Sequence, residues 1–232
     1  MMYNGPLNLD LNDFKKLMNK TDFEEEPVDL DTFCTDEYFL GMRNKDGTPQ
    51  VGGLQKEIIE RMSQIYLLDT LIELNGEREG QRLWDRTVNL VIAQLGKGSG
   101  KDFSIRVAFC RIVYLLHCLR DPLAYYDKGK GDFIDLLNLA LNAEQAKNVF
   151  FDPMKNLLGQ SPYFQEKGME FRAKEIYFLQ RPIRCFSGHS GAEGWEGYNL
   201  IACVLDEIAA FKTHSELGGE KNRYSADTLY NM

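Results

Sequence analysis

The sequence lacks the cysteine, histidine and apolar patterns that mark metal-binding, secreted and membrane proteins. Its five cysteines form no C-x-x-C pair, and its three histidines show no metal-ligand spacing. An odd, scattered set of cysteines fits a reducing compartment. No signal peptide is visible, and the longest apolar run is too short to cross a membrane because Arg106, Arg111 and His117 interrupt it. We therefore expect a protein with no membrane partner.

The chain also lacks an excess of positive charge. It carries 35 acidic and 27 basic residues, for a formal net charge of −8. This balance argues against a protein that coats nucleic acid by charge alone, although a motor could still grip DNA through a local patch. Two groups of basic residues are candidates for such a patch, and each could equally be a solvated face: Lys15, Lys16 and Lys20, and Lys167, Arg172 and Lys174.

The length of 232 residues and the apolar share of 44% predict one packed domain with an extension. We expect a helical extension over residues 1–75 and the main domain over residues 76–232. Within the extension, apolar spacing predicts helices over residues 11–18 and 54–74, and a polar, glycine-containing loop over residues 44–53. Another helix starts near Pro27, with Asp29 or Asp31 as its cap.

From residue 81 onward the pattern is that of an α/β protein. Apolar runs predict strands over residues 87–94, 133–141 and 200–205, and paired strands between residues 170 and 186. Helices are expected from residue 103 to residues 121–122, where a proline stops the helix, over 142–158 and over 207–214, with a loop at 188–197. Alternating strands and helices indicate a mainly parallel sheet with flanking helices.

A glycine-rich loop of sequence LGKGSGKD occupies residues 95–102, between the first predicted strand and a long apolar helix. Strand, glycine loop and helix is the arrangement of a phosphate-binding loop, in which backbone N–H groups and the helix N-terminus face an anion and a lysine reaches the outer phosphates. The loop departs from the usual pattern, since its first glycine is shifted to Gly96 and Asp102 stands where Ser or Thr is usual. The alternative interpretation is a glycine turn that opens a helix.

A second motif supports the phosphate-loop interpretation. The apolar run at residues 200–205 ends in Asp206 and Glu207. The sequence of a buried parallel strand is a continuous apolar run, and ligands bind at the carboxyl ends of such strands. Asp206 could hold Mg²⁺ there, and Glu207 could orient or deprotonate an attacking water. A strand followed by a solvated acidic turn is the alternative.

The order of these motifs resembles the large subunit of viral terminases, the ATP-driven motors that package DNA into phage heads. The resemblance spans most of the chain. It rests on VDLDTFCTDEYFL at residues 28–40, the variant loop at 95–102, LNLALNAEQAKNV at 137–149 and GWEGYNLIACVLDEIAAF at 194–211. It implies a P-loop NTPase fold of the RecA-like (ASCE) type, with an N-terminal helical extension.

The resemblance implies a role for each matched residue. Lys101 would bind the β and γ phosphates of ATP, and Lys97 would contact the γ phosphate or sense its loss. Asp206 would hold Mg²⁺, with Asp102 as a second candidate ligand, and Glu207 would position the water. The remaining loop positions, Gly96, Gly98, Ser99 and Gly100, would supply phosphate-binding groups.

Other implied features are less directly matched. Gln81 either reads adenine, as a glutamine before the first strand does in some family members, or is a surface residue. Some members carry an arginine in the late glycine loop that acts across a subunit interface, but Glu196 stands there. Arg181 and Arg184 are the substitute candidates, with ordinary surface arginines as the alternative.

The implied biology is that of a packaging motor. The expected partners are double-stranded DNA, a portal protein, a small terminase subunit and further copies in a ring, in the cytoplasm of a host cell. Because no coupling strand or nuclease domain follows, we expect the N-terminal ATPase portion of a longer or truncated protein, without nuclease activity. A helicase-like ATPase and a nucleotide-binding module with little turnover are the alternatives.

Overall fold

The sheet and its surrounding helices are seen in a computed structural model that describes residues 22–92, 94, 98–189 and 197–207. The described helices are α1 Leu30–Thr35, α2 Gly53–Met62, α3 Leu68–Asn75, α4 Glu77–Asp85, α5 Lys101–Cys118, α6 Pro122–Tyr125, α7 Ala143–Gln145, α8 Asp152–Gln160 and α9 Pro162–Lys167. A π-helical turn, Ala146–Phe151, joins α7 to α8. The strands are β1 Ile134–Ala140, β2 Met169–Phe171, β3 Glu175–Phe178, β4 Ile183–His189 and β5 Leu200–Leu205.

The five strands form a mixed sheet in the order β2-β3-β4-β1-β5. Strand β1 pairs in parallel with β4 on one side and with β5 on the other, whereas β2, β3 and β4 pair antiparallel. The carboxyl ends of β4, β1 and β5 therefore share one edge of the sheet, which we call the carboxyl edge; the opposite edge is the amino edge. The α/β class predicted from the sequence is confirmed.

Helix α5 is the centre of the core. Every residue from Val107 to Cys118 is buried, as expected for a helix that is apolar on all sides. Helices α2 and α8 pack against it. The ring of Tyr114 lies 5.0 Å from that of Phe33 and 5.2 Å from that of Tyr163, so α1 and α9 join the same cluster. Residues before position 76 thus share the core of the main domain, and the predicted division at residue 76 stays a prediction.

Several local predictions agree with the structure. Asp29 caps α1 by accepting hydrogen bonds from the backbone N–H and the hydroxyl of Thr32. Strand β1 lies inside its predicted range with one residue fewer at each end, and β5 has the predicted bounds. The paired strands predicted between residues 170 and 186 correspond to β2, β3 and β4. These elements were predictable because their signals are local runs and caps.

The predicted strand over residues 87–94 is wrong for the residues described there, which are 87–92 and 94, because none of them is in a strand. The side chains of Leu90 and Ile92 are 59% and 76% exposed. An apolar run becomes a strand only when a neighbouring strand pairs with it and buries one face. These described residues have neither the pairing nor the burial.

Two further boundaries differ from the predictions. The single helix predicted over residues 54–74 is two helices, α2 and α3, because the chain leaves α2 at Ser63, whose hydroxyl bonds the carbonyl of Ile59. The break buries Tyr66, whose hydroxyl donates to the carbonyl of Leu115 on α5. Strand β4 continues through His189, so residues 188 and 189, the start of the predicted loop, are in a strand. The predicted helix over residues 11–18, and that over 207–214 apart from Glu207, lie outside the described residues.

Candidate functional site

The turn before α5 has the backbone conformation of an anion-binding loop. Gly98 and Gly100 have φ values of +81° and +77°, in the left-handed region that favours glycine, and Gly100 is the N-cap of α5. Left-handed residues alternating with ordinary ones turn successive N–H groups toward one point. Ser99 lies exposed between the two glycines. Gly96 and Lys97, the other predicted loop residues, lie outside the described residues.

Lys101 is the first residue of α5 and lies beside two carboxylates. Its Nζ is 2.8 Å from Oδ1 of Asp206 and 3.4 Å from Oδ1 of Asp102. The hydrogen bond to Asp206 raises the pKa of Lys101 above its ordinary value, against the opposing effect of partial burial. The ammonium is therefore charged at neutral pH, and 31% of the side chain is exposed. It can turn from its carboxylate partners toward an incoming phosphate.

Asp206 is held at the carboxyl edge of the sheet. Its backbone N–H donates to the carbonyl of Leu139 at 2.8 Å, which extends the parallel pairing of β5 with β1 by one residue. Its side chain is 15% exposed. The structure thus brings together Lys101 and Asp206, which are 105 residues apart in the sequence.

These residues suit a magnesium nucleotide. The ammonium of Lys101 already occupies the place of a cation between the carboxylates of Asp102 and Asp206. In phosphate sites Mg²⁺ is commonly held by one or two carboxylates, with phosphate oxygens and water completing its shell. Asp206 and Asp102 would hold the metal, and Lys101 with the glycine turn would hold the phosphates. Within the described part of the chain, no three His, Cys, Asp or Glu side chains cluster as a metal site on their own.

Glu207 lies directly after the acid of the strand in a strained backbone conformation. Its φ is +55°, which is uncommon for a residue other than glycine. The side chain is exposed. Water can therefore reach the carboxylate, which directly follows Asp206 in the chain.

Gln81 is not brought to this cluster by any described contact. It lies exposed on α4, and its amide donates to Asp85 one turn away. An ordinary surface glutamine accounts for this arrangement.

The two candidate arginines lie at the amino edge instead. Arg181, just before β4, pairs with Glu24 and donates to the carbonyl of Leu119. Arg184 makes two hydrogen bonds to the buried Asp135. Both guanidinium groups are engaged in these contacts at the amino edge, away from Asp206. Their action across a subunit interface stays a prediction.

The predicted basic patch around β2 is largely neutralised. Lys167 pairs with Glu25, and Arg172 pairs with Glu170 and Glu175. Among the described residues, Lys174 of this group makes no ion pair, and it is exposed. A solvated face with local pairs fits these contacts better than a DNA-binding stripe. Lys15, Lys16 and Lys20 lie outside the described residues.

One residue near the loop was not anticipated from the sequence. The side-chain amide of Gln55 on α2 lies over the backbone of Gly100, so that a Cβ built on this glycine would be 2.5 Å from Gln55 Nε2. Gln55 is 45 positions before Gly100 and belongs to no local motif. Only the packing of α2 on α5 brings the two together.

Comparison with known proteins agrees with this geometry. A family model described as the N-terminal P-loop domain of the uncharacterized protein MJ0330 matches residues 8–232. The chain belongs to this P-loop family. It is 29% identical over 170 residues to the uncharacterized protein MJ0330 of Methanocaldococcus jannaschii. That match covers 66% of the chain and 30% of the relative, so the chain spans less than a third of the relative's length. No solved structure matches the chain.

Family membership supports the α/β P-loop fold and a nucleotide-binding role for this member. The relative's name gives no activity, and it says nothing of terminases or DNA packaging. No helix in the described ranges combines the length and the hydrophobicity that a membrane span requires.

Proposed function

We propose that this chain is the ATP-hydrolysing domain of a DNA-translocating motor of the terminase type. The observation that carries the proposal is the contact between Lys101 and Asp206 at 2.8 Å, with the lysine following a left-handed glycine turn and the acid ending a parallel strand. A lysine that binds phosphate and an acid that binds Mg²⁺ must lie within reach of one nucleotide.

The reaction would be attack of water on the γ phosphate of ATP. Bound Mg²⁺ would supply charge that stabilises the phosphates. The protein's own residues would position the reactants and stabilise charge without covalent chemistry. Lys101 would leave Asp206 for the phosphate oxygens, the loop N–H groups would fix the nucleotide, and Glu207 would hold the water.

The link to DNA rests on the resemblance of the ordered motifs to terminase large subunits. On that basis the partners are double-stranded DNA, a portal protein, a small terminase subunit and other copies in a ring, and the site of action is the cytoplasm of a host cell. An arginine delivered by a neighbouring subunit can raise turnover about a thousandfold or more in related chemistry. We therefore expect low basal hydrolysis from the isolated chain.

A nucleotide-binding module with little turnover is the second candidate. The observation in its favour is Asp102, a carboxylate at the position where a hydroxyl usually meets the metal. Asp102 lies 3.4 Å from Lys101 and adds negative charge beside the phosphates.

Phosphate release measured with and without double-stranded DNA separates these functions. The motor proposal expects hydrolysis that DNA stimulates and that Lys101→Ala removes. Tight binding of MgATP with no release under either condition would select the binding module. Stimulation by single-stranded DNA alone would point to a helicase-like ATPase instead.

A further inference from the structure

Gln55 lies at the phosphate loop although it belongs to a helix far upstream. Its Nε2 approaches the backbone of Gly100 so closely that a Cβ there would lie 2.5 Å away, well inside van der Waals contact. The next nearest atom of the same side chain, Cδ, would be 3.8 Å away, so the amide nitrogen is the atom that faces the loop.

The position of Gln55 is fixed by the packing of α2. Ile59, one turn later on the same helix face, is fully buried in the core around α5. Next to Gln55, Lys56 pairs with Asp31 at 2.6 Å and ties α2 to α1. These contacts hold the start of α2 against the loop, so the approach of Gln55 to Gly100 follows from the scaffold.

The Gln55 amide is available for a ligand. It donates no hydrogen bond to any residue that the structure describes, and its side chain is partly exposed. The Gly100 carbonyl accepts hydrogen bonds from the backbone N–H and the hydroxyl of Ser104. This carbonyl therefore has its partners without the Gln55 amide. Two N–H donors therefore lie unused beside a turn whose backbone suits an anion.

We propose that Gln55 is a phosphate-binding residue of this site, which donates from its side-chain amide to a phosphate oxygen of the nucleotide. The inference rests on the proposed function, because it requires a nucleotide in the loop. A neutral amide suits a site that already contains Asp102 and Lys101, since it adds a donor without changing the charge. It also makes the helix before the phosphate loop part of the binding site.

Binding of MgATP and of magnesium pyrophosphate, measured by calorimetry, tests the proposal. Gln55→Ala should lower the affinity for both ligands about tenfold, because a hydrogen bond to a charged oxygen is lost. Gln55→Glu should lower the affinity for both ligands about a hundredfold, because a carboxylate replaces the donor beside the phosphates. Gln160→Glu, the same change at the exposed end of α8, is the matched control and should bind as the unaltered protein does.

The outcomes separate this inference from the proposed function. If Lys101→Ala loses binding but Gln55→Glu binds within twofold of the unaltered protein, the role of Gln55 is wrong and the nucleotide site stands. If Gln55→Glu weakens the binding of MgATP but not that of pyrophosphate, the amide contacts the base or sugar, and the proposed contact with phosphate is wrong. If the unaltered protein binds neither ligand, the proposed function itself fails.

A second measurement without nucleotide tests the contact itself. Gly100→Ala should destabilise the protein less in the Gln55→Ala background than alone, because the clash with Nε2 is absent and only the strain of the positive φ remains. Equal effects in both backgrounds would show that the amide does not lie against Gly100.

Discussion

Two ion pairs at opposite edges of the same sheet differ in burial and in geometry. At the amino edge, Arg184 makes two bonds of 2.8 and 3.1 Å to Asp135, which is fully buried and also accepts from the backbone N–H of Asn199. The guanidinium stacks over Phe133 at 4.0 Å. At the carboxyl edge, Lys101 makes one bond of 2.8 Å to Asp206, with no ring over its ammonium among the described contacts.

The difference indicates what each pair is for. In the Arg184 pair the carboxylate is 1% exposed and the guanidinium 20% exposed, and the pair joins partners at the same register of β1 and β4. A fixed pair of this kind belongs to the architecture. The Lys101 pair is partly solvated, and its cation is shared between two acids. A pair of this kind can exchange one partner for a ligand at small cost.

The largest expected effect is on folding at the amino edge. Asp135→Ala should lower the free energy of unfolding by about 3 kcal/mol or more, because it leaves the guanidinium of Arg184 without its counter-charge. Urea denaturation measures this loss. The matched change Asp206→Ala at the carboxyl edge should cost about 1 kcal/mol or less, as for partly exposed pairs. Equal losses at the two edges would break the comparison.

The next effect is on ATP hydrolysis at the carboxyl edge. Lys101→Ala should reduce ATP hydrolysis by about a hundredfold or more, because it removes the positive charge that meets the phosphates. The same variant should keep nearly normal resistance to urea. A Lys101→Ala variant that loses resistance to urea but still hydrolyses ATP would reverse the assignment of the two edges.

Glu207→Gln should leave nucleotide binding intact and slow hydrolysis by about a hundredfold, because it keeps the shape but removes the carboxylate that would act on water. Calorimetry with MgATP and single-turnover phosphate release would measure the two properties separately. Turnover close to that of the unaltered protein would assign the water to another residue.

The smallest effect concerns acid stability at the buried end of α5. Burial lowers the pKa of His117 to about 4 from an ordinary value of 6.5. Between these values the unfolded chain binds a proton that the folded chain does not, so this residue should reduce stability by about 1.4 kcal/mol for each unit that the pH falls below 6.5. Above pH 6.5 it has no effect. Denaturation curves of His117→Gln from pH 7 to 5 should show a shallower slope than those of the unaltered protein, and an identical slope would refute the assignment.

Much of the fold could be predicted from the sequence, because local signals specify it. Strands β1 and β5, helix α5 and the cap at Asp29 follow from apolar runs and capping residues. The strand predicted over residues 87–94 was wrong for the described residues, because a local apolar run does not show whether a neighbouring strand pairs with it. The break at Ser63 also escaped prediction, because it arises from the burial of Tyr66 against α5.

The same contrast applies to the candidate site. The types and order of Lys101, Asp206 and Glu207 pointed to phosphate chemistry before any geometry was known. Gln55 could not be found, because its approach to Gly100 depends on how α2 packs on α5. The partner of Arg184 could not be found from the sequence either, because Asp135 lies beside it only through the pairing of β1 with β4.

The central claim is that the Lys101–Asp206 pair is a resting contact that a magnesium nucleotide opens. The most direct test is the affinity of Asp206→Asn for ATP with and without Mg²⁺. Without metal, the variant should bind ATP more tightly than the unaltered protein, because Lys101 is released from its partner and less negative charge faces the phosphates. With Mg²⁺ it should bind more weakly, because a metal ligand is lost. A change in the same direction under both conditions, or no change, would contradict the account.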